Sequence, residues 1–432
     1  MIYLLFIILL LMLILNYEIY KNILMPSFVL ILSFTLVTFV YVMCLGVINE
    51  PISVDTFLII FGAIFLYWIG EVVAIGIKNK GKLARGYIIK IPDENLMMSM
   101  RLFVVMGLSI IILISSYVRF SVLCSAVGTS SSISSFLASY AKIRFYTIHG
   151  MTPSFPAWVS MMTVIVPCIV KISITVFTYN LLRYGVIQKR YFLVFGSYVI
   201  YSVTSTSRTV YLELLVYIVV QFFFLRVFIA GKQPIINWQT IRPTIIAVIV
   251  FGGMFLIIGN LADKNGDLIK TLFGYSAAGI VGLNQYLEKP FYSPGLLYSR
   301  TINGVFSPLD NFGITIPEIE QFLPHFWYLG GTETSNEYTS LMEPIYDFGI
   351  GGMFITRFLL GIIIALIFYL ITKRSNNIRK YFVIPMFVPI YYALAISAID
   401  DQFSTFIGMY YLYQVIFTWI IWKVFIKYYY VE

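Results

Sequence analysis

A few polar side chains in this otherwise apolar chain could do chemistry. Arg208 stands in Ser205-Thr206-Ser207-Arg208-Thr209, between two apolar runs too close together to hold a long loop. A guanidinium this near hydrocarbon is costly, about 2.5–3.5 kcal/mol at a helix centre on insertion scales. Either it snorkels at a hairpin tip, or its planar fork binds phosphate oxygens while the flanking hydroxyls add neutral donors. A second basic set, Arg119, Lys142, Arg144, Lys289 and Arg300, is interleaved with aromatics, as in Tyr140-Ala-Lys-Ile-Arg-Phe-Tyr146 and Tyr298-Ser-Arg-Thr-Ile-Asn303. Mixed Arg and Tyr suit a phosphate next to a sugar, since rings stack on pyranose C–H faces while guanidinium holds the anion. The same mixture also anchors proteins at lipid headgroups.

The third constellation runs from Thr334-Ser-Asn336-Glu337-Tyr338 through Glu343-Pro-Ile-Tyr346-Asp347-Phe348-Gly349 into an apolar span that contains Arg357. Glu337 is the first candidate general base toward a hydroxyl, with Asn336 and Tyr338 orienting the substrate. Helix capping by Ser335, Asn336 or Asp347 is the structural alternative. His325 is the second candidate base. Arg208, Arg144 and Arg300 are the expected anion ligands, and Tyr146, Arg119 and Asp347 complete the substrate-contacting set. Arg357 most simply pairs with a buried acid, Asp347 or Asp400. Asp400-Asp401 reads as a paired-acid site or as a helix-end feature. His149 and His325 are isolated, and Cys44, Cys124 and Cys168 are unclustered, so neither a metal site nor a disulfide framework is expected. No phosphate-binding glycine loop, nucleophile elbow or H-E-x-x-H helix appears, and no cofactor is implied.

These residues must be positioned by membrane helices. The chain has 432 residues, 60% of them hydrophobic and 11% charged. Soluble domains carry about 25% charged residues, so a water-soluble fold is excluded, as is a disordered chain. The pattern predicts an all-α, polytopic transmembrane protein, one integral membrane domain over 1–432, with eleven spans and room for a twelfth. The spans fall at 2–15, 24–48, 57–77, 99–117, 157–181, 191–206, 209–228, 244–259, 351–371, 381–398 and 404–425. The first lacks the basic start and small-residue cleavage site of a signal peptide and reads as a retained helix.

The net charge of +9 invites a nucleic-acid reading until its distribution is considered. With Lys78–Arg101 in the cytoplasm, nineteen of the Lys and Arg residues lie on that side and eight on the other, with Lys171 and Arg357 inside spans. The positive-inside rule explains this bias, and no nucleic-acid partner is needed. Two long outer segments remain, 118–156 and 260–350. Both are too aromatic for disorder and are expected to be folded, partly re-entrant material on the outer face.

On Thr206-Ser-Arg208-Thr209, on Asn336-Glu-Tyr338 and on Tyr346-Asp-Phe-Gly349-Ile-Gly351-Gly352, the chain resembles the Wzy-type O-antigen and capsule repeat-unit polymerases. The likeness extends over the whole architecture of many spans with one dominant late outer loop. The resemblance implies a membrane glycosyltransferase of GT-C type in the bacterial cytoplasmic (inner) membrane. Its substrate would be undecaprenyl-diphosphate-linked oligosaccharide, polymerised at the outer face without a metal. It also implies membrane lipid, a chain-length regulator and a flippase as partners. O-antigen ligases of the same fold often carry a His in the late outer segment, where this chain has Asn336-Glu337. A lipid-linked-oligosaccharide flippase or other transporter is the alternative from another class, although no repeat between halves is evident.

Overall fold

A computed structural model describes residues 1–45, 50–78, 95–148, 155–205, 209–231, 238, 242, 245–246, 276–306, 327–329, 332–335, 338–373 and 377–431. The fold is mostly helical. Among the described residues seven helices are long and apolar enough to cross a membrane. They are α1 (Ile2–Tyr20), α2 (Pro26–Cys44), α3 (Val54–Lys78), α4 (Leu102–Val127), α6 (Ala157–Tyr184), α8 (Thr209–Ala230) and α11 (Met342–Lys373). Between them lie α5 (Phe136–Ile148), α7 (Tyr191–Thr204), α9 (Ala278–Glu288) and the single turn α10 (Asn303–Phe306). After α11 come α12 (Val383–Ile396) and α13 (Met409–Phe425).

The expected boundaries shift in instructive ways. The span at 99–117 runs on to Val127 as α4, because Ser, Val, Phe and Leu continue its apolar faces past Arg119. Part of the first outer segment is therefore helix. The span at 351–371 starts earlier, at Met342, with a break at Gly349. Regions 191–206 and 381–398 form 14-residue helices. At about 1.5 Å per residue these reach about 21 Å, short of a hydrocarbon core of about 30 Å. Region 404–425 divides into a 3-10 turn (Ser404–Ile407) and the 17-residue α13. Region 244–259 is outside the continuously described residues.

The described contacts fall into two compact units. The first comprises Met1–Ile88, Gly266–Lys373 and Ile390–Tyr411. Its spine is the α3–α11 crossing, where Gly70 meets the Phe358 carbonyl and Gly361 meets the Tyr67 carbonyl so closely that neither position has room for a Cβ. Lipid gives no hydrophobic drive between apolar helices, so such backbone approach, with its dispersion contacts, is what holds them. At one end of this unit, Asn284 of α9 accepts from the Ser53 amide (2.8 Å) and the Thr56 hydroxyl (2.7 Å), fastening the start of α3. Ser340 N–H donates to the Ser397 carbonyl at 2.8 Å. Toward the opposite end of α3, the fully buried Glu71 accepts from the Ser27 amide (2.9 Å) and hydroxyl (2.5 Å), and Asn16 donates to that hydroxyl at 2.7 Å.

The second unit comprises Ile89–Asn265, Arg374–Pro389 and Leu412–Glu432. It packs α4 on α7 and α6 on α8. While β2 (Trp327–Leu329) and β3 (Thr332–Ser335) pair in the first unit, here β1 (Leu96–Ser99) and β4 (Lys427–Tyr430) form a two-stranded antiparallel sheet that pairs Leu96 with Tyr430 and Ser99 with Lys427. Asn180 exchanges hydrogen bonds with Met98, and Arg190 donates to the Met100 carbonyl at 2.7 Å. Among the helices, Lys171 is 1% exposed; its Nζ donates to Gln414 Oε1 at 2.6 Å and lies 5.4 Å from the Tyr217 ring, whose hydroxyl donates to Glu213.

Candidate active site

The site residues of the first unit are arranged by a short helical stretch that ends at Gly349. Glu343, Tyr346 and Asp347 stand at i, i+3 and i+4, on one face of the first turns of α11. Gly349 then adopts φ 70° and ψ 178°, a backbone region open almost only to glycine, and the long apolar part of the helix follows at a new angle. The chemistry-bearing turn is thereby set apart from the span that carries Arg357.

Asp347 organises the loop opposite. One oxygen accepts from the Arg300 amide at 2.9 Å; the other accepts from the Thr301 amide and the Ser299 hydroxyl, both at 2.7 Å. Ser299 in turn accepts from the Ile302 amide at 3.3 Å. This network fixes a tight turn and carries the Arg300 guanidinium to 5.6 Å from the Tyr346 ring centre. Tyr346 is clamped from behind, since its carbonyl accepts from the Ser293 amide at 2.8 Å and its ring meets Phe291 edge-on. Asp347 is expected from sequence to touch substrate, yet both its oxygens are engaged by this turn. The turn that it holds sets where Arg300 stands.

Next to this cradle the structure assembles carboxyls. Glu343 and Asp401 are hydrogen-bond neighbours, with Arg300 and Asp400 also facing Glu343. Asp401, held after α12, accepts from the Phe403 amide at 2.8 Å. Burial pushes the Asp401 carboxyl above the ordinary aspartate range, against the opposing pull of Arg357. Burial likewise raises Asp400, to about 6, while its hydrogen bond from Gln402 pulls the other way. Tyr338, half-buried beside Arg300, is pushed up to about 12 by burial, which the guanidinium partly offsets. Arg357 is 1% exposed; it donates to the Ser340 carbonyl and lies 5.0 Å from the Phe403 ring. Its foremost acidic neighbour is Asp401, rather than the Asp347 or Asp400 expected from sequence. Among the described residues no three His, Cys, Asp or Glu side chains form a group suited to a metal ion.

The raised carboxyls predict how stability responds to pH. A group whose folded pKa exceeds its unfolded value binds more protons when folded, so stability falls as pH rises between the two. For Asp400 that window runs from 3.8 to about 6. Thermal unfolding of the detergent-solubilised protein should therefore show a contribution that strengthens from pH 6 toward pH 4. Asp400→Asn should flatten that slope; an unchanged slope would place the titration elsewhere.

The expected site residues thus divide. Arg300, Tyr338 and Asp347 come together in the first unit. Arg119, Arg144 and Tyr146 lie in the second, where Arg119 donates to the Tyr201 hydroxyl at 3.1 Å and Tyr146 packs against Phe120, Leu123 and Ile143. Arg208, His325, Asn336 and Glu337 lie outside the described residues. The sequence alone gives Glu343 no role, although its i, i+3, i+4 spacing with Tyr346 and Asp347 is a readable signal. Searches of family models, of curated proteins and of solved structures gave no match to the chain.

Proposed function

We propose that this protein is a membrane glycosyltransferase that joins lipid-diphosphate-linked oligosaccharide repeat units into a polysaccharide. The observation that carries this reading is a guanidinium, Arg300, set over the Tyr346 ring by an aspartate-held turn and adjoining a buried carboxyl pair. By charge bias these groups lie at the outer membrane face. Glycosyl transfer from a lipid diphosphate needs fixed positive charge where the leaving group develops negative charge, and a base for the attacking hydroxyl. Arg300 is suited to the first task, and Tyr346 backs its guanidinium. Apolar spans around the site suit a substrate whose polyprenyl tail stays in lipid. The same reading places the protein in a bacterial cytoplasmic membrane, with a flippase and a chain-length regulator as working partners. It also assigns Arg144, Arg119 and Arg208 to the lipid-linked substrates.

Deleting the gene in its host should leave single repeats on the lipid anchor when surface glycan is sized on a gel. Arg300→Ala should slow chain extension about 10²–10³-fold, the typical cost of removing one preorganised charge-stabilising donor, at undiminished protein level. Long chains in the deletion strain would sink the reading. Repeats trapped on the cytoplasmic side would favour a flippase.

A further inference from the structure

Among the buried polar atoms of the first unit with no hydrogen-bond partner among the described residues, a group on facing side chains stands out: Arg357 Nε and Nη1, the Tyr67 and Ser340 hydroxyls, Glu343 Oε2 and Asp401 Oδ2. Arg357, Tyr67 and Ser340 are at most 1% exposed. Orphaned buried polar atoms are rare and costly, and here donors and acceptors gather around one carboxyl pair. A ligand that satisfies both kinds at once must donate and accept, as sugar hydroxyls do. Two carboxyls in hydrogen-bond contact also require a proton between them, because two bare carboxylates would only repel.

We propose that Glu343 and Asp401 act as one proton-sharing pair that deprotonates the acceptor sugar hydroxyl, with Arg357 as the positioning charge behind them. This rests on the glycosyl-transfer reading above. In the step, the acceptor O–H proton passes to the ionised member of the pair. The freed oxygen electron pair forms the new bond to the anomeric carbon of the donor sugar. The bond from that carbon to the diphosphate oxygen breaks, and its electron pair leaves with the diphosphate, facing Arg300. The pair afterwards returns the proton to solvent. Glu343 is faced by Arg300 and Asp400, and Asp401 by Arg357 and Asp347. Tyr67 faces Arg357 from α3. Two guanidiniums thus face the pair, Arg300 at Glu343 and Arg357 at Asp401, and these hold one net negative charge on two acids.

The test uses the full chain in lipid nanodiscs with a lipid-diphosphate-linked oligosaccharide as substrate. Glu343→Gln and Asp401→Asn should each slow extension about 10²–10⁴-fold, the usual range for a positioned base, without weakening donor binding. The double variant should be no slower than the worse single one, because residues that act as a unit do not lose rate additively. Glu343→Asp should recover part of the rate with a shifted pH profile. Infrared spectra of the wild type at neutral pH should contain a protonated-carboxyl stretch that both single variants lack, a readout that does not depend on turnover. If the wild type extends chains and both variants match its rate and pH profile, the pair is overturned while the polymerase reading stands. A wild type that binds donor but extends nothing overturns both.

Discussion

Arg357→Met should destabilise the protein by about 3–5 kcal/mol, the cost of stripping one member from a buried charge arrangement. Arg357 is 1% exposed, and its guanidinium lies on the Phe403 ring, reaches the Ser340 carbonyl and faces Asp401 and Glu343. Methionine fills much of the same volume but leaves Asp401 without the guanidinium that faces it. The loss should show as a lower unfolding temperature in detergent. Asp401→Asn added to Arg357→Met should recover part of it, since no uncompensated charge then remains buried. An unfolding temperature that does not move in Arg357→Met would mean that Arg357 does not face these acids.

Gly361→Leu should cost about 3 kcal/mol or more, the upper end of what overpacking a close-packed interior imposes. At the α3–α11 crossing the Gly361 Cα faces the Tyr67 carbonyl, and Gly70 faces the Phe358 carbonyl one turn away. Any side chain at these positions meets backbone rather than a mobile side-chain end, so the helices must separate. Tyr67 and Arg357 would then part, and chain extension should fall with stability. Gly76, with no heavy atom within 4 Å of a Cβ placed on it, is the control position on α3, and Gly76→Leu should be tolerated. Comparable unfolding temperatures for the two variants would refute the tight crossing.

Much of this fold is legible in the sequence because lipid imposes simple rules. Runs of Leu, Ile, Val and Phe mark α1, α2, α3, α6 and α8 with little ambiguity, since each backbone must satisfy itself within the helix. Lys and Arg sort the connections, and the β1–β4 sheet gathers segments that charge alone assigns to one side. Short helices are harder: 191–206 and 381–398 are apolar enough to resemble spans, yet their helices stop at 14 residues.

The site is half legible. Arg300, Tyr338 and Asp347 stand out as polar groups in an aromatic outer segment. The spacing of Asp347 before a span suggests a cap or a ligand, and its partners Ser299, Arg300 and Thr301 lie too far back in the chain for that spacing to show them. Arg357 reads as the partner of a buried acid, Asp347 or Asp400, but the helix breaks at Gly349 and the acid that faces it first is Asp401, from beyond α12. Glu343 resembles an ordinary first-turn acid until Asp401 is seen beside it. No one-dimensional pattern carries contacts of that range.

The interleaving of the two units bears on how the protein is made. Each takes its last piece from the final stretch of chain, Ile390–Tyr411 for one and Leu412–Glu432 for the other. During synthesis α11 therefore enters the bilayer carrying Arg357 before Asp401 exists. Likewise β1 leaves the ribosome long before β4 can pair with it. A chain truncated after Lys373 would hold a membrane-embedded cation without Asp401 and a strand without its partner.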